Sequence, residues 1–300
     1  MTKQLLILCI FLCFASCQEQ EQPKMTPQHP SPMVDYTRSH DRISIDSVPD
    51  TSTRIDLSEE YHGKLYIPDK WKQEDTVDLV IHFHGDSRVA QYAIDEQSKP
   101  WILFHCHWGG GSSAYSRPIE HLDTEAFLDT IMIAVQKVLP ETQVSNIHLS
   151  GWSAGYGAIR SIISDEQAIS RIDGILLMDG LHCSYVPEGT VMAQGGTIDS
   201  TRMEAFLNWA KLAAIGEKIF LFTHSAVFPG TYASTTETAE YLLQKLEAKR
   251  QPLLVEGPMG MQQTSIAVKG KLQIISFAGN SAPDHVDHYY GMRAFLELMR

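Results

Sequence analysis

The sequence is poor in positive charge and in cysteine. Its 300 residues carry 24 Lys and Arg against 36 Asp and Glu, which gives a formal net charge of -12 at pH 7. A net-negative surface repels the phosphate backbone, so no nucleic-acid partner is predicted. Five cysteines are too few for a disulfide scaffold in a chain of this length. The hydrophobic fraction of 43% is ordinary and excludes a wholly disordered chain.

Long hydrophobic runs are also scarce. The apolar run Leu5–Phe14 follows Lys3 and is shorter than the ~20 residues that span a bilayer, which predicts the core of a signal peptide. The sequence Phe-Ala-Ser-Cys ending at Cys17 resembles the lipobox of bacterial lipoproteins, with Phe in place of the usual Leu. The resemblance implies a signal peptide over residues 1–16 and lipidation of Cys17. An ordinary secretory signal with a chance cysteine is the alternative.

The residue after Cys17 is Gln18 rather than Asp, and the lipoprotein resemblance then implies secretion across the inner membrane and anchoring in the outer membrane. Residues 17–53 are polar and contain several prolines, which predicts a flexible tether before a folded domain at 54–300. In that domain only Cys106 and Cys183 remain, and the sequence leaves open whether they pair.

Strand-like and helix-like segments alternate along the domain. The predicted strands are Thr53–Leu57, Lys64–Ile67, Leu79–Phe83, Trp101–Phe104, Ile147–Leu149, Ile172–Met178, Ile219–Phe222 and Leu272–Phe277. The predicted helices are Thr124–Leu139, Tyr156–Ser164, Arg202–Leu212, Thr235–Lys249 and His288–Met299. Short apolar strands between helices predict an α/β fold with a mostly parallel central sheet covered by helices on both faces. Cys183–Glu217 interrupts this alternation and is interpreted as an insertion after the sixth strand.

The strongest local motif runs from Gly151 to Gly155 and reads Gly-Trp-Ser-Ala-Gly. It follows a predicted strand and precedes a predicted helix. A sharp strand-to-helix turn exposes the Ser153 hydroxyl, and it needs small neighbours where strand and helix pass closely. This context predicts a nucleophilic serine.

The motif and the order of elements resemble the α/β-hydrolase superfamily of serine esterases over residues 54–300. The resemblance implies a triad in the chain order nucleophile, acid, base, with Ser153 as the nucleophile. It also implies an oxyanion hole made by the backbone N–H of Ala154 and an N–H near Asp86, in the loop that follows the strand Leu79–Phe83. Neither a metal nor an organic cofactor is implied.

The acid and the base follow from the same resemblance. Asp179 ends the strand Ile172–Met178 and is the predicted acid, although the commonest family pattern places the acid after the next strand, which lacks a carboxylate. The predicted base is His285, interpreted as lying in a loop before the last helix. His288 is the alternative base, and Asp284 is an alternative acid partner.

Many histidines follow predicted strands, and a parallel sheet brings the ends of its strands to one edge. The predicted substrate pocket comprises His84, Trp108, Trp152, His182, His224 and His288. For each histidine taken singly the sequence favours a hydrogen-bonded loop residue without ligand contact, whereas some members of the group are expected to line the pocket. Two other functions stay open, namely a metal-dependent hydrolase that uses the histidine cluster and a non-catalytic binding lipoprotein.

The predicted function is therefore a serine hydrolase of the bacterial cell envelope that cleaves an ester or amide bond through an acyl-enzyme. The implied partners are a small-molecule, glycan or lipid ester substrate and the membrane that holds the N-terminal lipid.

Overall fold

The computed structural model describes residues 52–57, 63–121 and 123–299. The predicted signal peptide, Cys17 and all but the last two residues of the predicted tether lie outside these ranges. The first strand begins at Ser52, close to the predicted start of the domain. No helix within these ranges combines the length and the hydropathy needed to cross a membrane.

A central sheet dominates the described part of the chain. Its strands, in chain order, are β1 (Ser52–Asp56), β2 (Gly63–Pro68), β3 (Thr76–Phe83), β4 (Trp101–Cys106), β5 (Gln143–Trp152), β6 (Gly174–Met178), β9 (Ile219–His224), β10 (Gln251–Glu256), β11 (Gln262–Lys269) and β12 (Leu272–Phe277). Their spatial order is β1-β2-β4-β3-β5-β6-β9-β12-β11-β10. The six strands from β4 to β12 in this order run parallel, and antiparallel strands extend both edges.

Helices lie between the strands in sequence and pack on both faces of the sheet. They are α1 (Ser87–Asp95), α2 (Ser112–His121), α3 (Thr124–Val138), α4 (Tyr156–Ile162), α5 (Glu166–Arg171), α6 (Ser200–Ala214), α7 (Thr235–Lys245), α8 (Ala282–Tyr290) and α9 (Met292–Glu297). The α3 helix matches its prediction, and the Asp123 side chain caps it by accepting the N–H groups of Glu125 and Ala126.

The two faces of the sheet bury separate apolar clusters. In β3, Leu79 and Ile81 belong to one cluster, whereas the intervening Val80 belongs to the other. In β6, Leu177 and Met178 divide between the clusters in the same way. Because alternate side chains of a strand point to opposite faces, a strand buried on both faces reads as one continuous apolar run. The predicted mostly parallel sheet with helices on both faces is confirmed.

The insertion after β6 contains a two-stranded antiparallel sheet, formed by β7 (Tyr185–Val186) and β8 (Thr197–Ile198), and the α6 helix. The sequence predicted the helix but not the short strands. The antiparallel strands β10 and β11 were also not predicted, because their apolar segments, residues 253–255 and 266–268, are short and largely not buried.

The end of the chain differs from its prediction. Residues 282–290 form helix α8, and a second helix, α9, follows Gly291, so His285 lies on a helix rather than in a loop. The Ser281 hydroxyl accepts the N–H of Asp284, and the Asp284 carboxylate accepts the N–H of Ser281. This reciprocal capping box, with Pro283 in the first turn, starts the helix earlier than the apolar spacing indicated.

Candidate active site

The strand register brings four loops to one edge of the sheet. Phe83 of β3 pairs with Gly151 of β5, and Trp152 pairs with Met178 of β6. Met178 in turn pairs with Thr223 of β9. The residues that follow these strand positions therefore emerge side by side at the carboxyl edge of the parallel sheet, where α/β proteins commonly bind ligands.

Ser153 occupies the sharp turn between β5 and α4. Its backbone φ is 48°, in the left-handed region that a residue with a side chain rarely adopts. A Cβ added to Gly155 would lie 2.1 Å from the carbonyl oxygen of Phe83, and one added to Gly151 would lie 3.1 Å from the carbonyl carbon of Gly155. The two glycines of the motif thus allow the serine turn to pack closely against the end of β3 and against the start of α4.

The turn is also supported from the β6 side. Asp179 follows β6 with a φ of 43°, and a Cβ added to the next residue, Gly180, would lie 2.5 Å from the carbonyl oxygen of Ser153. The backbone beside Asp179 therefore contacts the backbone of the serine directly. The sequence analysis did not single out Gly180, and an isolated glycine after a strand gives little signal for such a contact.

The Asp179 carboxylate is buried, with an exposed fraction of 1%, and accepts four hydrogen bonds. The Ser225 N–H and hydroxyl donate to it at 2.9 and 2.6 Å, the Thr235 hydroxyl at 2.6 Å, and His285 Nδ1 at 2.8 Å. Burial alone would raise the pKa of this carboxyl, but His288, His285 and the Ser225 hydroxyl together hold the pKa well below its ordinary value. Asp179 is therefore a preformed carboxylate.

His285 contacts both Asp179 and Trp152, the residue before Ser153. Its Nδ1 contacts the carboxylate, so the Nδ1–H tautomer is favoured and Nε2 is left as the proton acceptor. The Trp152 indole N–H donates to the carbonyl oxygen of His285 at 3.0 Å, and the two rings lie 4.9 Å apart. Since Trp152 directly precedes Ser153, the imidazole lies beside the serine turn, with a side chain that is 22% exposed.

His288, the alternative base, lies in the interior. Its exposed fraction is 1%, its Nδ1 shares a 2.8 Å hydrogen bond with the Thr223 hydroxyl, and its ring contacts Phe277 edge-on. Burial lowers the pKa of His288 to about 4, despite the opposing effect of Asp179. The two histidines lie one turn apart on α8, but His285 is partly exposed whereas His288 is buried.

The loop after β3 supplies the region of the predicted oxyanion hole. His84 and Gly85 have φ values of 77° and 103°, and a Cβ on Gly85 would lie 2.4 Å from the Tyr289 ring. The His84 N–H donates to the Cys106 carbonyl, so the next two N–H groups of the loop are the remaining backbone donors. The Asp86 side chain caps α1, and its carbonyl accepts the Tyr289 hydroxyl at 2.7 Å.

A column of rings runs along the same edge. His107, His84, Trp152, Tyr289 and His82 stack in that order, with successive centroids 5.3, 5.0, 5.3 and 5.1 Å apart. Burial, assisted by His107 and His285, lowers the pKa of His84 to about 4, so the His84 imidazole is uncharged near pH 7. Trp108 lies beside the column, stacked at 5.8 Å on Tyr115, whose hydroxyl contacts His84 Nδ1 at 2.7 Å.

A cavity of about 650 Å³ opens at the serine and is lined by Ser153, Ala154 and His182, among others. The His182 Nδ1 contacts the Ala233 carbonyl at 2.9 Å, which orients the ring. His224, by contrast, lines a separate cavity of about 730 Å³ and contacts Thr236 and Arg250. Of the six predicted pocket residues, His182 is the one that, among the described side chains, lines the serine cavity. His84, Trp108 and Trp152 lie in or beside the ring column instead, and His224 and His288 are buried elsewhere.

The other strand-end histidines bind protein groups. His82 contacts the Ser150 hydroxyl and the His84 carbonyl, and burial holds its pKa well below the ordinary value. Within the described ranges, no group of three or more His, Cys, Asp or Glu side chains is arranged to hold a metal ion. Cys106 and Cys183 are both buried free thiols, so the question of a disulfide between them is answered.

The sequence analysis missed the residues that hydrogen-bond to Asp179. Ser225 directly follows β9, at the position where the commoner family pattern has its acid, and it donates two hydrogen bonds to Asp179 instead. Thr235 begins α7 and comes from a distant part of the sequence, with no motif to mark it. Glu237, the nearest later carboxylate, is used in the cap of α7 with Ser234.

No known family model matches the chain, and no curated protein matches it in sequence. Among solved structures, the siderophore hydrolase EstB from Aspergillus nidulans is similar over 88% of this chain and 97% of its own, at 13% identity and a TM-score of 0.50. Propionate-bound Est2, an esterase from Thermogutta terrifontis, is similar over 83% of this chain and 93% of its own, at 11% identity and a TM-score of 0.49. The chain therefore has the α/β-hydrolase fold that the sequence predicted.

Proposed function

We propose that this protein is a serine hydrolase that cleaves a carboxylic ester, or an amide, through an acyl-enzyme. The observation that carries the proposal is the 2.8 Å hydrogen bond between Asp179 and His285, formed beside the strained turn that presents Ser153. The similarly folded EstB is described as a hydrolase, which is consistent with this chemistry.

In the proposed reaction, the Ser153 oxygen attacks the carbonyl carbon while His285 Nε2 accepts the hydroxyl proton. Asp179 holds the imidazole in the required tautomer and stabilises the imidazolium that forms. The tetrahedral intermediate then expels the alcohol, which takes the proton from His285. A water molecule, deprotonated by the same imidazole, hydrolyses the acyl-enzyme and restores the serine.

The negative charge of the tetrahedral intermediate is assigned to two backbone donors. One is the Ala154 N–H, which belongs to the first helical turn after the serine, where N–H groups have no intrahelical partner. The other is the N–H of Gly85 or of Asp86. Tyr289 holds this segment in place, because its hydroxyl donates to the Asp86 carbonyl and its ring packs against Gly85. Each such donor typically lowers the barrier by about 2.7–4 kcal/mol.

The direct test is Ser153→Ala. The variant is expected to fold normally and to lose more than about 10³-fold in kcat on a short-chain 4-nitrophenyl ester. Ser170→Ala removes an exposed helix hydroxyl and is the matched control, with an unchanged rate expected. A fluorophosphonate probe should label the native protein but not the Ser153 variant. An unchanged rate in Ser153→Ala would refute the proposal.

We further propose that the protein acts at the bacterial cell envelope, anchored by a lipid on Cys17. The lipobox-like sequence before Cys17 supports this location. Metabolic labelling with an alkyne fatty acid in a bacterial host should mark the native protein and not Cys17→Ser. Labelling of both proteins, or of neither, would refute the anchor.

A further inference from the structure

The cavity at Ser153 has an unusual charge. Three arginines line it, and within the described residues Glu120 is the only acidic side chain among the lining groups. The arginines come from three helices: Arg117 from α2, Arg160 from α4 and Arg202 from α6. Positive charge is thus concentrated beside the nucleophile of a chain whose net charge is -12.

None of these three arginines forms an ion pair with a carboxylate in the described part of the chain. Ion pairs in the described part of the chain involve Arg88, Arg171, Arg250 and Arg293, but none of the three cavity arginines. Glu120 lies one turn from Arg117 on α2 and still forms no ion pair with it. The Asp199 carboxylate interacts electrostatically with Arg202, and Glu120 lines the same cavity, but three guanidinium groups against these two carboxylates leave a net positive potential there.

Arg160 is the best positioned of the three. It is half-buried, and its guanidinium lies 5.6 Å from the centre of the Tyr156 ring, a cation–π contact that limits its motion. It lies on the helix that begins directly after the serine turn, and the helical rise of ~1.5 Å per residue places it about 10 Å from the nucleophile along the axis. A group bound by Arg160 is therefore several bonds away from the scissile carbonyl.

We propose that the substrate is an anionic ester, with a carboxylate or phosphate group that binds the cavity arginines while its carbonyl lies at Ser153. The inference rests on the proposed function and adds the charge of the substrate to it. Guanidinium groups bind carboxylate and phosphate oxygens through paired, charge-assisted hydrogen bonds, which suits them to this task. The cavity of about 650 Å³ is of the size that binds small-molecule ligands.

The test uses matched esters that carry a neutral, an anionic or a cationic end group. The acyl series is 4-nitrophenyl hexanoate, mono-4-nitrophenyl adipate and 4-nitrophenyl 6-aminohexanoate, which are neutral, anionic and cationic. The alcohol series compares methyl 4-acetoxybenzoate with 4-acetoxybenzoate and 4-acetoxyphenyl phosphate. The rate measured with Ser153→Ala is subtracted from each. We expect kcat/KM for an anionic ester to exceed that of its neutral match by about tenfold or more. The series in which this occurs shows whether the acyl part or the alcohol part of the substrate carries the anion.

Arginine variants decide whether the cavity causes the preference. Arg160→Gln and Arg202→Gln should each reduce the ratio of anionic to neutral kcat/KM by about fivefold, chiefly through KM. Arg293→Gln removes an exposed arginine of α9, paired with Glu297, and should leave the ratio unchanged. Added NaCl should lower the ratio in the native protein, because salt screens the attraction.

The outcomes separate the two proposals. Ser153-dependent hydrolysis that shows no anionic preference in either series, or a preference that survives in both cavity variants, would overturn the anionic substrate and leave the serine hydrolase intact. Absence of Ser153-dependent hydrolysis for every ester would overturn the proposed function and the substrate class together.

Discussion

Replacing Asp179 with Asn tests the proposed triad most sharply, because the hydrogen bonds fix how the new side chain must lie. Oδ1 of Asp179 accepts the Ser225 N–H and the Thr235 hydroxyl, and Oδ2 accepts the Ser225 hydroxyl and His285 Nδ1. A backbone N–H cannot reverse its role, so the amide oxygen of Asn must take the Oδ1 site. The amide NH₂ then faces His285.

An NH₂ group donates to Nδ1, and this moves the imidazole proton to Nε2, where it faces the serine. His285 in that tautomer cannot accept the Ser153 proton. The comparable loss in triad hydrolases corresponds to about 10⁴-fold in kcat, or about 5 kcal/mol of barrier. Hydroxyls can rotate to suit the amide, so the free energy of unfolding should fall by only about 1–3 kcal/mol.

The assay is kcat on a short-chain 4-nitrophenyl ester, with urea unfolding measured in parallel. Asp173→Asn is the matched control, since Asp173 precedes β6, is only partly buried and accepts the N–H of Ile147 away from the site. Its kcat should equal that of the native protein. A folded Asp179→Asn protein whose kcat stays within about tenfold of native would refute the assigned role.

Two further predictions concern stability. Gly155→Ala places a methyl group 2.1 Å from the Phe83 carbonyl oxygen, so it should lower the free energy of unfolding by about 3 kcal/mol or more and remove most of the activity. In Gly110→Ala the added methyl group meets nothing within 4 Å, so the free energy of unfolding, measured with urea, should fall by less than about 1 kcal/mol. Because the pKa of His288 is lowered to about 4, the unfolded chain binds a proton between about pH 6.5 and 4 that the folded chain does not, so stability falls as pH falls. His288→Gln should make this fall shallower by up to ~1.4 kcal/mol per pH unit.

Equal stabilities of the two glycine variants would contradict the close approach at the serine turn. An unchanged pH dependence in His288→Gln, measured as the free energy of unfolding between pH 7 and pH 5, would contradict a neutral buried His288.

Features encoded in a few neighbouring residues could be predicted from the sequence. The apolar run of β5, the glycines around Ser153 and the start of α4 lie within one short segment, so their meaning did not depend on the rest of the chain. The cap of α3 by Asp123 is local in the same sense. The Ser281 capping box was equally local. However, the predicted start of the last helix follows from the apolar spacing after His288 and is therefore too late in the chain.

The direction of a side chain at a strand end was harder to predict. His182 lies after β6 and His224 ends β9, yet His182 lines the cavity at Ser153 and His224 lines a different cavity beside Arg250. Which way each ring turns depends on partners such as the Ala233 carbonyl and the Thr236 hydroxyl. Those partners come from later parts of the chain, where no motif marks them.

The sequence by itself determined the alternation of elements, the sharp turn at Ser153 and the identity of Asp179 as a strand-end carboxylate, because each follows from local pattern and backbone chemistry. Only the tertiary structure decided that Thr235 and Ser225 bind that carboxylate, and that three arginines from separate helices face one cavity. These contacts join residues far apart in the chain, and their proximity arises from the parallel strand register and helix packing rather than from any short segment.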